Sequence, residues 1–376
     1  MKVLLSCTGV GIMTRGIETF ARECFDGLHG MQGLNIKLVR GRGEGGEDEI
    51  RVRCIRRDNP VADRLAKLTG RNGYVVEQLS SLPAIIKVIR EFQPDVVFSS
   101  EANLLFQLYK RRAKIGVPYR TLFSNGGPTH PPFVRRDHVQ QVAPFYLEEA
   151  LEAGEPEAKH TLVPYGIKVP SGVLEPVGVE EKAALRKRLG LPGDRPVVLS
   201  VGWISTKSHK RPQYLIREMA KLGQPRPFLM MLGHLDEDSE TVLAEARDLL
   251  GEENFLARSV PYEEVNDYYR CSDVFALASL SEGFGRVYLE AMINGLPIVC
   301  HDHPVMRYVV GDGGHFGDFN EPEGMAPILR KLMDGGAPIG QDPALRESVR
   351  KRFSWETLQP RYLEMFHRCA AMPLPA

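Results

Sequence analysis

The sequence predicts an α/β chain built as two Rossmann-like, doubly wound domains that face each other with a site in the cleft between them. Three observations predict it. Short apolar runs of strand length alternate with longer, helix-period segments along most of the chain. That alternation breaks once, at 169–179, where VPSGVLEPVGV has the proline and glycine content of a linker. The chain is also long enough, at 376 residues, for two domains with a core each.

The elements follow in order. The first domain reads as strands at 2–6, 35–40, 96–99, 120–123 and 161–164. Helices are read at 17–28 and at 83–92, the latter with Pro83 in its first helical position, where a missing N–H does no harm. The second domain reads as strands at 197–201, 228–232, 254–257, 274–278 and 297–300. In such sheets ligands bind outside the carboxyl ends of the strands.

Composition narrows the function. A chain 43% hydrophobic and 26% charged is ordinary globular protein. Its zero net charge gives a nucleic-acid partner no support. The first 165 residues hold 23 Lys and Arg against 19 Asp and Glu, a mild excess that suits an anionic surface. Six scattered cysteines without a C-x-x-C pair read as buried thiols in a reducing compartment. MKVLLSC reads as a first strand rather than a signal peptide, and no apolar run reaches membrane-spanning length. The expected location is the cytoplasm.

The most telling segment is ASLSEGFGRVYLEAMINGLPIVC, at 278–300. An apolar strand precedes a Gly283-Phe284-Gly285 turn. A helix follows, with Gly295 as its stop and Pro297 beyond. Glu282 and Glu290 stand in an E-x7-E spacing, about two helical turns. With Glu282 ending the strand and Glu290 two turns into the helix, both carboxylates would face one crevice. Glycine admits close backbone approach, and a helix N-terminus offers free N–H groups to an anion. A ligand with phosphate and several hydroxyls, such as a nucleotide sugar, fits that pattern.

Other constellations are weaker. Residues 41–46 match G-x-G-x-x-G formally, but Glu47, Asp48 and Glu49 follow where a pyrophosphate would sit, so a mobile acidic loop is the better reading. The loop at 6–16 offers Gly9, Gly11 and Gly16 between first strand and first helix, either as a plain turn or to face a phosphate or an acceptor. Lys207, Lys210 and Arg211 form a basic loop after the strand at 197–201. It is a solvated turn or a clamp for a leaving diphosphate. His301 and His303 lack a third partner for a metal site, so no metal is expected. YKRRAK at 109–114 and Arg135-Arg136 read first as charged surface and second as a weak peripheral contact with anionic lipid at the inner membrane face.

The run at 263–318 resembles the signature region of family 4 glycosyltransferases. RGIETFARECFDGL (15–28), TLVPYGIKV (161–169), VVLSVGWISTKSHKRPQYLI (197–216) and FSWETLQPRYLEMF (353–366) continue the resemblance in order along the chain. It implies a retaining enzyme of GT-B architecture that moves a sugar from a nucleoside-diphosphate sugar, with UDP or GDP as carrier, to a hydroxyl acceptor. It implies an acceptor domain at 1–170, a donor domain at 171–355 and a terminal helix at 356–376 returning to the first domain. By resemblance Glu290 holds the ribose, Glu282 holds the donor sugar, and Gly283–Gly285 with Lys210 stabilise the leaving phosphate. The loop at Val260 meets the base, and Gly16 matches the family's glycine before the first helix. The family's basic pair is an arginine then a lysine. Lys210 matches the lysine, Trp203 or Ile204 stands at the arginine, and Lys207 or Arg211 is the substitute. A histidine that lines the family's site has its nearest equivalent in Asn125, with His130 close by. Two rivals are a GT-B-like sugar-nucleotide epimerase and a catalytically silent donor-binding protein. The intact glutamates speak against silence. A monomer or a homodimer fits equally.

Overall fold

A computed structural model describes residues 1–13, 15–127, 129–170, 175–334 and 340–374. The chain forms two compact units, Met1–Lys168 with Phe353–Ala376, and Val169–Arg352. The centre of the predicted linker, 171–174, lies outside the described residues, as do position 14 of the first glycine loop and position 128 beside His130.

The first unit holds seven strands: β1 (Lys2–Ser6), β2 (Asn35–Arg40), β3 (Glu49–Arg51), β4 (Val96–Ser99), β5 (Arg120–Asn125), β6 (His138–Gln141) and β7 (His160–Leu162). Their order is β3-β2-β1-β4-β5-β6-β7, and every pairing is parallel. The second unit holds β8 (Val197–Val201), β9 (Phe228–Leu232), β10 (Phe255–Arg258), β11 (Val274–Ala276), β12 (Ile298–His301) and β13 (Gly314–Gly317). Their order is β10-β9-β8-β11-β12-β13, again all parallel. Helices cover both faces of such a sheet, so its inner strands are buried on both sides and read as unbroken apolar runs. Val96, Val97 and Phe98, and Phe228 to Leu232, are buried throughout.

One core gathers Leu4, Val97, Phe123, Ile85 and Leu104 in the first unit. A second gathers Val198, Met231, Val274 and Phe319 in the other. The last helix, Trp355–Ala371, belongs to the first unit. Gln359 donates to the Gly27 carbonyl at 2.7 Å, Gln140 donates to the Tyr362 hydroxyl at 2.9 Å, and the Phe98 and Phe366 rings stand 5.5 Å apart.

Several sequence expectations are corrected. The helix expected at 83–92 runs over Gly73–Phe92, so Pro83 is internal. Asn72 supplies the cap by accepting from Val75 N at 3.0 Å. Pro83 is exposed, which leaves the carbonyl it frees, on the half-buried Leu79, near solvent rather than in the core. The acidic loop at 41–49 ends in strand β3, where Glu49 is held by Arg22 at 2.7 Å and by Arg40. β6, with sequence HVQQ, is a buried strand without an apolar run, and its polar side chains find partners on segments distant in sequence. His138 meets Thr161 Oγ1 at 2.7 Å, and Gln140 donates to the Val163 carbonyl at 2.9 Å. All six cysteines are free, and five are buried. Among the described residues no helix is long and apolar enough to cross a membrane.

Candidate functional site

In the second unit the direction of winding reverses between β8 and β11. Ligands of doubly wound sheets bind at such a point. The segment leaving β8 carries Lys210, and the segment leaving β11 carries Glu282. Lys210 Nζ donates to Glu282 Oε1 at 2.6 Å, and Ser279 Oγ donates to the same oxygen at 2.6 Å. His209 Nε2 lies 3.8 Å from it. The Lys210 and Glu282 side chains are only 16% and 6% exposed, so the pair is largely shielded from water. Burial by itself would raise the Glu282 carboxyl. The charge of Lys210, with hydrogen bonds from Lys210 and Ser279 and with His209 nearby, outweighs burial and lowers it to about 2. The two residues assigned to one site are therefore in contact, and Lys210 is ion-paired and shielded rather than part of a solvated turn.

The E-x7-E spacing is realised differently from expectation. β11 ends at Ala276, so Glu282 lies in the following loop rather than at the strand end. The helix Arg286–Ile293 starts late, because Gly285 takes a left-handed conformation (φ 79°) that an α-helix cannot include. Glu290 is consequently one turn into the helix, not two. A Cβ on residue 285 would lie 2.6 Å from the Tyr288 ring, so glycine is required there on two counts. Phe284 is buried beside it, and Gly283 forms the bend after Glu282. Glu290 Oε2 accepts from the buried Tyr269 hydroxyl at 3.1 Å, and its Oε1 stands 3.5 Å from the Tyr262 hydroxyl. Burial, then the charge of Glu290, raises the Tyr269 phenol well above its usual range, so Tyr269 remains a donor. Val260 is half-buried in the loop between β10 and the turn Tyr262–Glu264.

The other basic residues are engaged elsewhere. Lys207 pairs with Asp238 at 2.5 Å on the surface, 71% exposed. Arg211 adopts a left-handed φ of 51°, donates to the Phe319 carbonyl at 2.8 Å and stacks 4.5 Å over the Tyr214 ring. Its guanidinium tethers the loop. Trp203 donates to Asp236 at 2.8 Å. His301 Nδ1 accepts from Phe319 N at 3.1 Å, and His303 caps the helix Pro304–Val310. Among the described residues no three His, Cys, Asp or Glu side chains gather in a metal-binding group.

Three predicted residues lie in the first unit. Gly16 opens the helix Gly16–Leu28, and a Cβ there would meet nothing within 4 Å, so no contact demands glycine. Asn125 ends β5, buried, donating to Gln141 Oε1 at 2.9 Å and accepting from Thr129 N at 3.3 Å. It braces β5 against β6. His130 is 66% exposed and forms a surface pair with Glu149 at 2.7 Å.

A family model described as glycosyl transferases group 1 matches residues 181–352, nearly all of the second unit. The second unit is a glycosyl transferases group 1 domain. The chain is 30% identical over 244 residues to D-inositol 3-phosphate glycosyltransferase of Kineococcus radiotolerans, a match covering 57% of this chain and 53% of the relative. The chain spans about half the length of the curated relatives it matches. Among solved structures it is similar to a glycosyltransferase of Rickettsia africae (TM-score 0.71, 16% identity, 99% of both chains). It is also similar to sucrose-phosphate synthase of Thermosynechococcus elongatus (0.73, 17%, 98% of both). A third is Anabaena Alr3699/HepE, solved in complex with UDP (0.73, 15%, 97% of this chain and 99% of that one). The fold is that of the GT-B glycosyltransferases.

Within the group 1 domain, sequence reasoning overlooked Ser279, Tyr269 and His209. Ser279 was legible only as a small polar residue ending an apolar run, and Tyr269 as one tyrosine of a pair. It also overlooked a buried cluster in the first unit comprising Thr8, Glu18, Arg57, Glu77 and Glu101. The available signal there was a lone glutamate in SSEAN, immediately after an apolar strand.

Proposed function

We propose that the chain is a retaining glycosyltransferase that moves a sugar from a nucleoside-diphosphate sugar to a hydroxyl acceptor. The single observation that carries this reading is the shielded Lys210–Glu282 pair at the switch point of a group 1 domain. Both residues are positioned for a ligand that carries an anion and hydroxyls together. In the reading, Lys210 moves to the diphosphate, where its charge matches the charge that develops as the leaving group departs. Glu282 then accepts from hydroxyls of the donor sugar. Glu290, already an acceptor for two phenols, takes the ribose hydroxyls, and Val260 borders the base. The backbone at Gly283–Gly285 and the helix start after it add N–H donors to the phosphate. Uridine is the favoured base, because similar structures were solved with UDP and with UDP-glucose. A metal is not required by this scheme. The first unit takes the acceptor, and reaction in the cytoplasm, with at most a weak peripheral membrane contact, is the setting that fits.

The test is a panel of UDP, GDP, ADP and NAD read by thermal shift, since ligand binding stabilises the folded state as the logarithm of ligand excess. A nucleoside diphosphate should raise the melting temperature. A response to NAD alone would sink the reading. Incubating the stabilising donor with hydroxyl acceptors and determining the product's anomeric configuration then distinguishes transfer from epimerisation or silent binding. Release of free nucleotide only in the presence of acceptor, with retained configuration, is the expected outcome.

A further inference from the structure

The first unit also has a switch point, between β1 and β4, and a second polar bridge crosses it. Thr8 follows β1, and Glu101 follows β4 at the start of the helix Ala102–Ile115. Thr8 N donates to Glu101 Oε1 at 3.0 Å, and the Thr8 hydroxyl is hydrogen-bonded to that same oxygen. The hydroxyl also lies 3.0 Å from Glu77 Oε1. A hydroxyl has one proton to donate, so it can serve only one of two carboxylates. The other oxygen–oxygen contact needs a proton supplied by a carboxyl group.

Arg57 decides which carboxyl that is. Its Nη2 stands 2.6 Å from Glu77 Oε1, its Nε 3.1 Å from Glu77 Oε2, and its Nη1 3.1 Å from Glu18 Oε1. Glu77 and Glu18 thus share the guanidinium. Glu101 is fully buried, and its Oε2 has no hydrogen-bond partner. A buried carboxylate left without a cation and without a bond on one oxygen is strongly disfavoured, whereas a neutral carboxyl can donate to Thr8. The order of donation is then Glu101 to Thr8 and Thr8 to Glu77, with Arg57 behind Glu77. The other titratable groups facing this site are Cys7, Cys54 and Tyr74, all raised chiefly by burial, so none brings a charge of its own at neutral pH.

The relay holds the loop that leaves β1. Gly9 in that loop is seated on the ion pair so closely that a Cβ would fall 2.2 Å from Glu18 Oε1 and 2.6 Å from Arg57 Nη2. We propose that Glu101 is a protonated positioning residue, which latches the β1 loop through Thr8 and Glu77 and releases it when the proton is lost at alkaline pH. This inference does not depend on the glycosyl-transfer reading. Burial foremost, helped by the charge of Glu77, pushes the Glu101 carboxyl up to about 8, against the Thr8 hydrogen bonds and Arg57. A carboxyl raised in this way favours the folded state below its ordinary range, and that advantage is lost as pH rises through about 8.

Wild-type protein and Glu101→Gln test it, because glutamine fills the same space but cannot titrate. Infrared spectra of the wild type at pH 7 should show a protonated-carboxyl band that disappears above about pH 8, as the raised carboxyl requires, and that E101Q lacks. The melting temperature of the wild type relative to E101Q should fall between pH 5 and 8 and level off above. Hydrogen exchange over residues 7–13 should match in the two proteins at pH 6. At pH 9 it should be about tenfold faster in the wild type, which a loop held by packing alone would not show. The infrared titration needs no variant, so misfolding of E101Q leaves the idea testable. Absence of the band at pH 7 overturns the protonated state, and equal exchange at pH 9 overturns the latch.

Discussion

At the scale of the residue, the Lys210–Glu282 pair sets the sharpest expectations. Truncating Lys210 leaves a shielded carboxylate without its cation, a change that costs about 3–5 kcal/mol where a buried pair is broken. K210A should therefore lose stability in urea unfolding as well as turnover. A loop lysine outside the core would cost turnover alone. Turnover should fall by roughly ten- to a thousandfold, the range seen when a transition-state charge stabiliser is removed. The double variant K210A/E282Q should be more stable than K210A, because it no longer strands a charge, and a double-mutant cycle measures that coupling. Strictly additive stabilities would show that the pair does not act as a unit. The pH dependence has a definite sign. Glu282 is lowered to about 2 in the folded chain, so its contribution is present above the ordinary carboxylate range and is lost as pH falls toward 2. The stability advantage of the wild type over E282Q should accordingly shrink between pH 5 and pH 3, measured by urea unfolding at each pH.

At the scale of the element, the turn into the helix Arg286–Ile293 depends on one backbone conformation. An alanine at 285 would have to hold φ near 79° and place its Cβ against the Tyr288 ring. G285A should cost about 1–3 kcal/mol, the usual range for a non-glycine residue forced into the left-handed region. It should also weaken nucleotide-dependent thermal stabilisation, because the helix start shifts relative to Glu282. Normal stability with normal nucleotide response would show that the turn tolerates a side chain and that its glycine serves neither fold nor site.

At the scale of the whole molecule, the first unit is completed by a segment that follows the second in sequence. Trp355, Tyr362 and Phe366 are buried within it, and Arg361 donates to the Leu162 carbonyl at 2.9 Å. Ending the chain after Arg352 should remove that packing and expose the faces that Phe98 and Phe20 present to the last helix. Several large buried side chains are lost at once, each contributing about 2–5 kcal/mol when deleted singly. The truncated chain should fail to show cooperative unfolding of the first unit in circular dichroism, and a cooperative transition of normal midpoint would contradict this role.

The two units also repeat one device. In each, a buried hydrogen-bonded bridge joins the segments leaving the two strands at which the winding reverses: Lys210 to Glu282 in one, Thr8 to Glu101 in the other. Sequence showed the Glu282 end of the first because it lies in a dense motif of glycines and glutamates. It hid the second because its members are scattered between positions 8 and 101 and none is unusual alone.

The sequence by itself determined the alternation of strand and helix, the two sheets and the group of residues around Glu282. Each of these rests on local pattern: apolar runs buried on both faces, and a glycine turn before a helix. It could not determine strands such as β6, whose buried glutamines and histidine are made tolerable only by partners distant in sequence. Nor could the residue pattern alone choose among Lys207, Lys210 and Arg211, although the family resemblance pointed to Lys210. Three cations in five residues are equivalent as sequence. Only the tertiary structure pairs Lys207 with Asp238, ties Arg211 to the Phe319 carbonyl and leaves Lys210 on Glu282. The physical reason is that charge acts through distance and burial, and both are set by which strands lie side by side, a property that neighbours in sequence do not carry.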